Sequence, residues 1–279
     1  MLTFSKMHAL GNDFVVIDNH KGNIKLSATT IRAMADRHQG IGFDQLLMVC
    51  PPPNDTSDFG YAIFNCDGSE VGQCGNGARC LADFIYRENL SNKACLRLTT
   101  KTTSMKVTPL DNHQYAVVLP PAKLSPENIP LVTTQTTPPY ALSGIHTKIY
   151  TANVGNPHAI IPCENVSNCP FDSLGEAIST HPYFPEQCNV SFMEITDPSH
   201  IKIRIYERHV GETMACGSAA NACATIARLF FNTDHDMEIF MPGGSLSVHC
   251  KNADSPLIQT GPSTFVFSGQ WPNTTPNQS

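Results

Sequence analysis

Two cysteines stand in matching surroundings. Cys74 lies in NCDGSEVGQCGNGARC (residues 65–80) and Cys216 in YERHVGETMACGSAANAC (residues 206–223). A glutamate precedes each by four residues (Glu70, Glu212), and a pair of small residues follows each (Gly75-Asn76, Gly217-Ser218). Apolar runs lead in through Tyr61, Ala62, Ile63 and Phe64, and through Ile201, Ile203 and Ile205. Helical spacing leads out through Ala78, Leu81, Phe84 and Ile85, and through Ala219, Ala222, Cys223, Ile226 and Phe230. Each thiol is therefore expected where a loop becomes the first turn of a helix. Free backbone N–H groups and the positive end of the helix dipole gather there and favour a thiolate. One such cysteine is ordinarily a small packing residue. A duplicated one points to paired acid–base work, in which one group takes a proton from a carbon and the other delivers a proton to the opposite face. That is the chemistry of racemisation or epimerisation. Backbone N–H groups of Gly75, Asn76, Gly217 and Ser218 can grip an α-carboxylate as charge builds on it, and glycine permits the close approach. No lysine stands in a Schiff-base context and no metal-ligand spacing occurs, so neither cofactor nor metal is expected.

The elements that must position these thiols also repeat. Cys216 follows Cys74 by 142 residues. Gly11-Asn12-Asp13-Phe14-Val15-Val16-Ile17 matches Gly155-Asn156-Pro157-His158-Ala159-Ile160-Ile161 at 144, as Gln45-Leu46 matches Asn189-Val190. Asn65 falls opposite Glu207 at 142. Four blocks in one order at nearly one offset mark two homologous halves. Residues 4–18 read as a strand broken at Gly11-Asn12. Ser27 caps a helix that carries Ile31, Met34, Ala35 and His38 and closes at Gly40. Gln45 stands at the mouth of a buried strand, Leu46 to Val49. Gly40-Ile41-Gly42 lacks the third glycine of a dinucleotide loop. Short strands alternate over 95–119. Proline and threonine dominate from Pro120 to about Ser143, which suits a crossing between domains. In the second half a helix is expected over 172–181, capped by Asp172 and stopped by Pro182. Terminal strands follow around 237–250 and 257–267.

The chain has 279 residues, 41% hydrophobic and 15% charged, with a net charge of −6 and eleven cysteines. This suits a soluble globular protein of two domains. Dispersed positive charge argues against a nucleic-acid partner, and no run approaches the length of a membrane span. The N-terminus lacks a signal-peptide pattern, so a cytoplasmic location with reduced thiols is expected. The odd cysteine count and the absence of C-x-x-C disfavour a disulfide framework or zinc ribbon. Cysteines 50, 66, 80, 95, 163, 169, 188, 223 and 250 are expected to be packing residues.

The motifs GNDFVVID, GFDQLL, FNCDGSEVGQCGNGARC, NVGNPHAI, HPYFPEQCNV, YERHVGETMACGSAA and MPGGSLSV together resemble the diaminopimelate epimerases, within the cofactor-independent two-cysteine racemase superfamily. The resemblance spans nearly the whole chain. It implies an α/β (α+β) fold of two homologous domains related by pseudo-two-fold symmetry, each a curled, mostly antiparallel sheet around a central helix. The divisions expected from the sequence are 1–119, 120–263 and a disordered tail over 271–279, and the resemblance implies that a last strand near 264–270 returns to the first domain. The implied activity is interconversion of LL- and meso-2,6-diaminopimelate on the route to lysine and peptidoglycan precursors, by a homodimer. Cys74 and Cys216 match the catalytic thiols. Gly75, Asn76, Gly217 and Ser218 match the α-carboxylate donors. Asn12, Gln45, Asn65, Asn156, Asn189, Glu207 and Arg208 match the other substrate contacts, and His158 with Glu207 the pair that tunes the thiol pKa values. The chain departs from the family at His209, where a small residue is common, and at Phe267, where tyrosine is frequent at the dimer contact.

Other functions fit parts of this pattern. A proline racemase or hydroxyproline epimerase would use the thiols but not the polar set Asn12, Gln45, Asn65, Asn189 and Arg208. A phenazine-type isomerase would not keep both cysteines. A non-enzymatic thiol protein, a metal-binding or redox module, would be separated by metal analysis and thiol counting.

Overall fold

The computed structural model describes residues 1–272. Its elements run β1 (Leu2–Ala9), β2 (Asn12–Asp18), α1 (Ala28–Ala35), β3 (Gln45–Cys50), β4 (Phe59–Asn65), β5 (Glu70–Val71), α2 (Gly75–Arg87), β6 (Leu96–Thr99), β7 (Ser104–Pro109) and β8 (Gln114–Leu119). They continue as β9 (Tyr150–Asn153), β10 (Pro157–Pro162), α3 (Phe171–Ser179), β11 (Asn189–Asp197), β12 (His200–Glu207), β13 (Gly211–Thr213), α4 (Gly217–Phe230), β14 (Asp236–Met241), β15 (Gly244–His249), β16 (Leu257–Pro262) and β17 (Thr264–Trp271). The described residues form two compact units, one of 1–117 with 261–272, the other of Val118–Thr260. No described helix is long and apolar enough to cross a membrane.

In the first unit β1 and β2 form a hairpin through Leu10 and Gly11, both at positive φ (56° and 87°). Two residues of that kind match the twist of the paired strands. β2 then pairs parallel with β3, β3 antiparallel with β4, β4 parallel with β6, and β6 antiparallel with β7. β17 lies antiparallel to β1, with Leu2 opposite Trp271, so Trp271 closes a strand rather than opening the tail. Residues 273–279 of the expected disordered tail lie outside the described residues. α2 is buried from Asn76 to Ile85, with Ala78, Leu81, Phe84 and Ile85 all inside. Each such Leu, Ile or Phe contributes about 1.5–3 kcal/mol by leaving water.

The second unit repeats this plan. β9 pairs antiparallel with β10, β10 parallel with β11, β11 antiparallel with β12, β12 parallel with β14, and β14 antiparallel with β15. The registers also repeat. Phe14 faces Gln45 as His158 faces Asn189, and Leu46 faces Phe64 as Val190 faces Tyr206. α4 takes the place of α2 and is buried along almost its whole length. Both units are therefore mixed α/β, mostly antiparallel, with one sequestered helix each.

Three expectations need correcting. Ser27 does cap α1, accepting from Thr30 N at 3.0 Å, but the helix ends at Ala35, short of His38. The Asp36 carboxylate accepts from His38 N and Gln39 N and turns the chain away. Asp172 does not cap α3: the helix begins at Phe171 behind Pro170, Asp172 sits in its first turn, and it ends at Ser179 before Pro182. Cys66 is exposed and so is not a packing residue, whereas Cys80, Cys188, Cys223 and Cys250 are buried.

Candidate active site

Cys74 is the residue immediately before α2, extended at φ −153° and ψ 109°. Its half-buried Sγ accepts from Gly77 N at 3.2 Å, as the oxygen of a capping serine would. The Tyr61 hydroxyl donates to Cys74 O at 3.2 Å from beneath. Burial drives the Tyr61 pKa well above its ordinary value, so the phenol stays a donor. Asn76 is buried, and its Nδ2 donates to Asn12 Oδ1 at 3.3 Å. Gln45 and Asn65 lie opposite each other across β3 and β4, with Gln45 Nε2 donating to Asn65 Oδ1 at 3.1 Å. The first unit thus brings Asn12, Asn76 and Cys74 to one helix start, and Gln45 and Asn65 to adjoining strand ends.

A charged cluster holds the β2 end of this site. Lys6 and Arg37 both donate to Asp13, and Arg37 also reaches Asp44 at 2.7 Å. Burial acts to raise the Asp13 pKa, but the hydrogen bonds from Arg37 and Lys6 outweigh it and bring the carboxyl down to about 2.

The second unit repeats the thiol position. Cys216 precedes α4 at φ −136° and ψ 112° and is buried, with Sγ 3.2 Å from Ser218 Oγ. His158 is fully buried. Its Nε2 is 2.9 Å from Asn156 Oδ1 and 3.5 Å from Asn189 Nδ2. Asn189 Oδ1 accepts from Arg208 N at 3.0 Å, which fixes that amide. The shorter contact makes Nε2–H a donor to Asn156 and leaves Nδ1 as a lone pair without a partner among the described residues. Burial, with the Arg208 charge nearby, pushes the His158 pKa down to about 3. The imidazole is therefore neutral at physiological pH. Arg208 Nη1 donates to Glu186 O, and Thr213 Oγ1 donates to Glu207 Oε1 at 2.7 Å. The second unit thus gathers Asn156, His158, Asn189 and Arg208 in one network, with Glu207 next in the chain.

His209 shows why a small residue suits its place. It lies exposed in the β12–β13 turn at φ +66°, with Gly211 at +98°. Histidine is among the side chains that enter this region with some frequency. Asp44, Tyr61, Arg79, Thr213 and Gln259 also belong to these networks, beyond the residues that the motifs single out. Gln259 is fully buried and donates to Gly217 O at 2.8 Å, holding the first turn of α4. Asp44 and Arg79 lie inside GFDQLL and CGNGARC, where charges amid apolar residues were the available signal.

The same duplicated fold is found in solved structures. A hydroxyproline epimerase from Agrobacterium vitis superposes with a TM-score of 0.68, at 13% identity, over 96% of this chain and 91% of that one. The family model for diaminopimelate epimerase matches residues 4–123 and 150–266. A diaminopimelate epimerase of Legionella pneumophila (strain Corby) is 45% identical over 271 residues, 96% of this chain and 98% of the relative. One of Coxiella burnetii (strain Dugway 5J108-111) is 42% identical over 272 residues, 97% and 99% of the two chains. The chain belongs to the diaminopimelate epimerase family, and it is an isomerase.

Proposed function

We propose that this protein interconverts LL- and meso-2,6-diaminopimelate by two-base proton transfer at the α-carbon, with Cys74 and Cys216 as the bases. The observation that carries this is the repeated capping position. Each thiol stands at the mouth of a buried helix, inside a strand register that both units share. One cysteine enters as thiolate and removes the α-proton. The other enters as thiol and returns a proton to the opposite face. The carbanion between these steps is stabilised at the carboxylate by the N–H groups of Gly75, Asn76, Gly217 and Ser218. The reaction draws on no cofactor or metal.

His158 and Glu207 tune the thiols. A neutral imidazole adds no positive charge to stabilise the thiolate. Asn12, Gln45, Asn65, Asn156, Asn189, Glu207 and Arg208 hold the rest of the substrate. Arg208 suits the distal carboxylate, because a guanidinium can make two parallel hydrogen bonds to it. The two units are the two halves of the enzyme, and it works in the cytoplasm as a homodimer, supplying lysine and peptidoglycan precursors.

The test is α-hydrogen exchange in deuterated water. Deuterium should enter diaminopimelate and both stereoisomers should appear, with negligible exchange of proline, lysine or glutamate. Exchange of proline at a comparable rate would refute this assignment in favour of a proline racemase.

A further inference from the structure

Arg79 is an odd residue to find buried in the second turn of α2. Its side chain is fully buried, which is costly for a guanidinium unless specific acceptors hold it. Nε donates to Pro262 O at 3.2 Å and Nη2 to Asn76 Oδ1 at 2.8 Å. Asn76 Nδ2 donates to Asn12 Oδ1 at 3.3 Å, and Asn12 Nδ2 donates to Asp44 Oδ2 at 2.8 Å. Arg37 Nη2 holds the other oxygen of Asp44. The contacts form one line from a buried cation through two amides to a carboxylate.

We propose that Arg79 and Asp44 are positioning residues that set the directions of the Asn76 and Asn12 carboxamides and so the polarity that the site presents to the substrate. This rests on the substrate-binding role given above to those two asparagines. An amide side chain can turn end for end with little change of shape, exchanging donor for acceptor. Here the ends of the line forbid it. A guanidinium only donates, so Asn76 must turn its oxygen to Arg79 and its nitrogen to Asn12. A carboxylate only accepts, so Asn12 must turn its nitrogen to Asp44 and its oxygen to Asn76. Every link then has a donor facing an acceptor, and reversing either amide sets donor against donor or acceptor against acceptor. Each NH₂ keeps one hydrogen without a partner among the described residues, and those two N–H groups suit an anionic substrate group. Burial lowers the Arg79 pKa to about 10, which leaves the guanidinium charged at neutral pH.

The second unit does not carry the same line. The positions matching Asn12, Asp44, Asn76 and Arg79 at the repeat offsets are Asn156, Cys188, Ser218 and Asn221. Neither end is charged there, and Asn156 is engaged with His158 instead. The charged line therefore belongs to the first unit, beside Cys74.

The test uses the full-length chain. The first readout is the side-chain amide signals of Asn12 and Asn76 in ¹H–¹⁵N spectra of ligand-free protein. Asp44→Asn, a change of one exposed group, should move the Asn76 amide signals as well as those of Asn12, because freeing one amide frees the next. Unmoved Asn76 signals would overturn the proposal. The second readout is steady-state epimerisation of diaminopimelate by Asp44→Asn, Arg79→Met and the double variant. Each single change should raise KM on the order of tenfold with kcat altered far less, as loss of one oriented hydrogen bond implies. The double variant should be no worse than the worse single, since cutting one line twice frees the same amides. Multiplying effects, or KM within twofold of wild type for Asp44→Asn, would also overturn it. If Arg79→Met does not fold, Asp44→Asn in an Asn12→Ala background replaces it, and its effect on KM should vanish there. A wild-type chain that fails to epimerise diaminopimelate refutes the proposed function, while the spectra still decide the line.

Discussion

At Cys74 one sulfur does two things that a substitution can separate. It accepts from Gly77 N at the head of α2, and in the proposed reaction it carries a proton. Cys74→Ser keeps an acceptor at a position where serine caps well, so stability should change by less than about 1 kcal/mol. Epimerisation should fall on the order of 10²–10⁴-fold, the usual worth of a positioned acid–base group, and Cys216→Ser should lose as much. A thermal melt beside a stereoisomer assay checks both halves, and full turnover by either serine variant would remove the two-base mechanism. His158 gives a second prediction through pH. Its folded pKa of about 3 lies below the ordinary 6.5, chiefly through burial and then through Arg208. The unfolded chain therefore binds a proton that the folded chain refuses. The stability is complete above the unfolded value and is lost as pH falls toward 3. Between about pH 7.5 and about pH 5 this one group should cost about 2 kcal/mol. Urea denaturation of wild type and His158→Gln at both pH values measures it, and equal acid losses in the two proteins would show that the imidazole is not the source.

At the scale of elements, the start of α2 is a close packing of backbone against a phenol. A Cβ on Gly77 would lie 2.2 Å from Tyr61 Oη, 3.1 Å from Leu47 Cδ2 and 3.3 Å from Cys74 Sγ. In an ordinary helix interior alanine would gain about 1 kcal/mol over glycine. Here Gly77→Ala should instead destabilise by about 1–3 kcal/mol, the usual effect of overpacking, and should displace the thiol. Tyr61→Phe in the same chain should recover part of the loss by removing the hydroxyl. Chemical denaturation of the two variants decides it, and a Gly77→Ala protein as stable as wild type would contradict the packing. This site also shows what can be read from sequence. The position of Cys74 before a helix was legible because the apolar spacing changes period there, and again before Cys216. The reason for Gly77 was not, since it lies in a tyrosine sixteen residues earlier, on β4. The end of α1 was misjudged because an Asp36 side chain, rather than Gly40, diverts the backbone. Arg79 escaped notice because its carbonyl partner, Pro262, stands 183 residues away. Local periodicity locates elements, while contacts made at long range decide which polar residue is buried among them.

At the scale of the whole molecule, the first unit is completed by the far end of the chain, and that end carries an exposed apolar face. β17 reads TFVFSGQW, with Val266 51% and Phe267 45% exposed. Phe267 meets Phe4 edge to face at 6.0 Å, which anchors one side of its ring and leaves the other to solvent. The Arg87 guanidinium covers Phe265 at 4.0 Å, so that neighbour is already shielded. Exposed apolar strand residues tend to recruit a partner, and a second copy of this chain is the partner the proposed homodimer supplies. Phenylalanine at 267 lacks the hydroxyl that the family resemblance places there. A dimer contact at this strand would rest on apolar area, with no phenolic hydrogen bond. Two consequences follow for a protomer of 30.4 kDa. Light scattering should give twice that mass at micromolar concentration, and raising the salt should not dissociate it, since screening weakens exposed charge pairs and leaves apolar burial in place. Phe267→Asp should give a folded monomer with unchanged far-ultraviolet dichroism, because the removed ring is nearly half exposed at the surface. Phe267→Tyr should keep the dimer. A wild-type protein of monomer mass at those concentrations would refute the dimer, and a dimeric Phe267→Asp protein would move its interface away from β17.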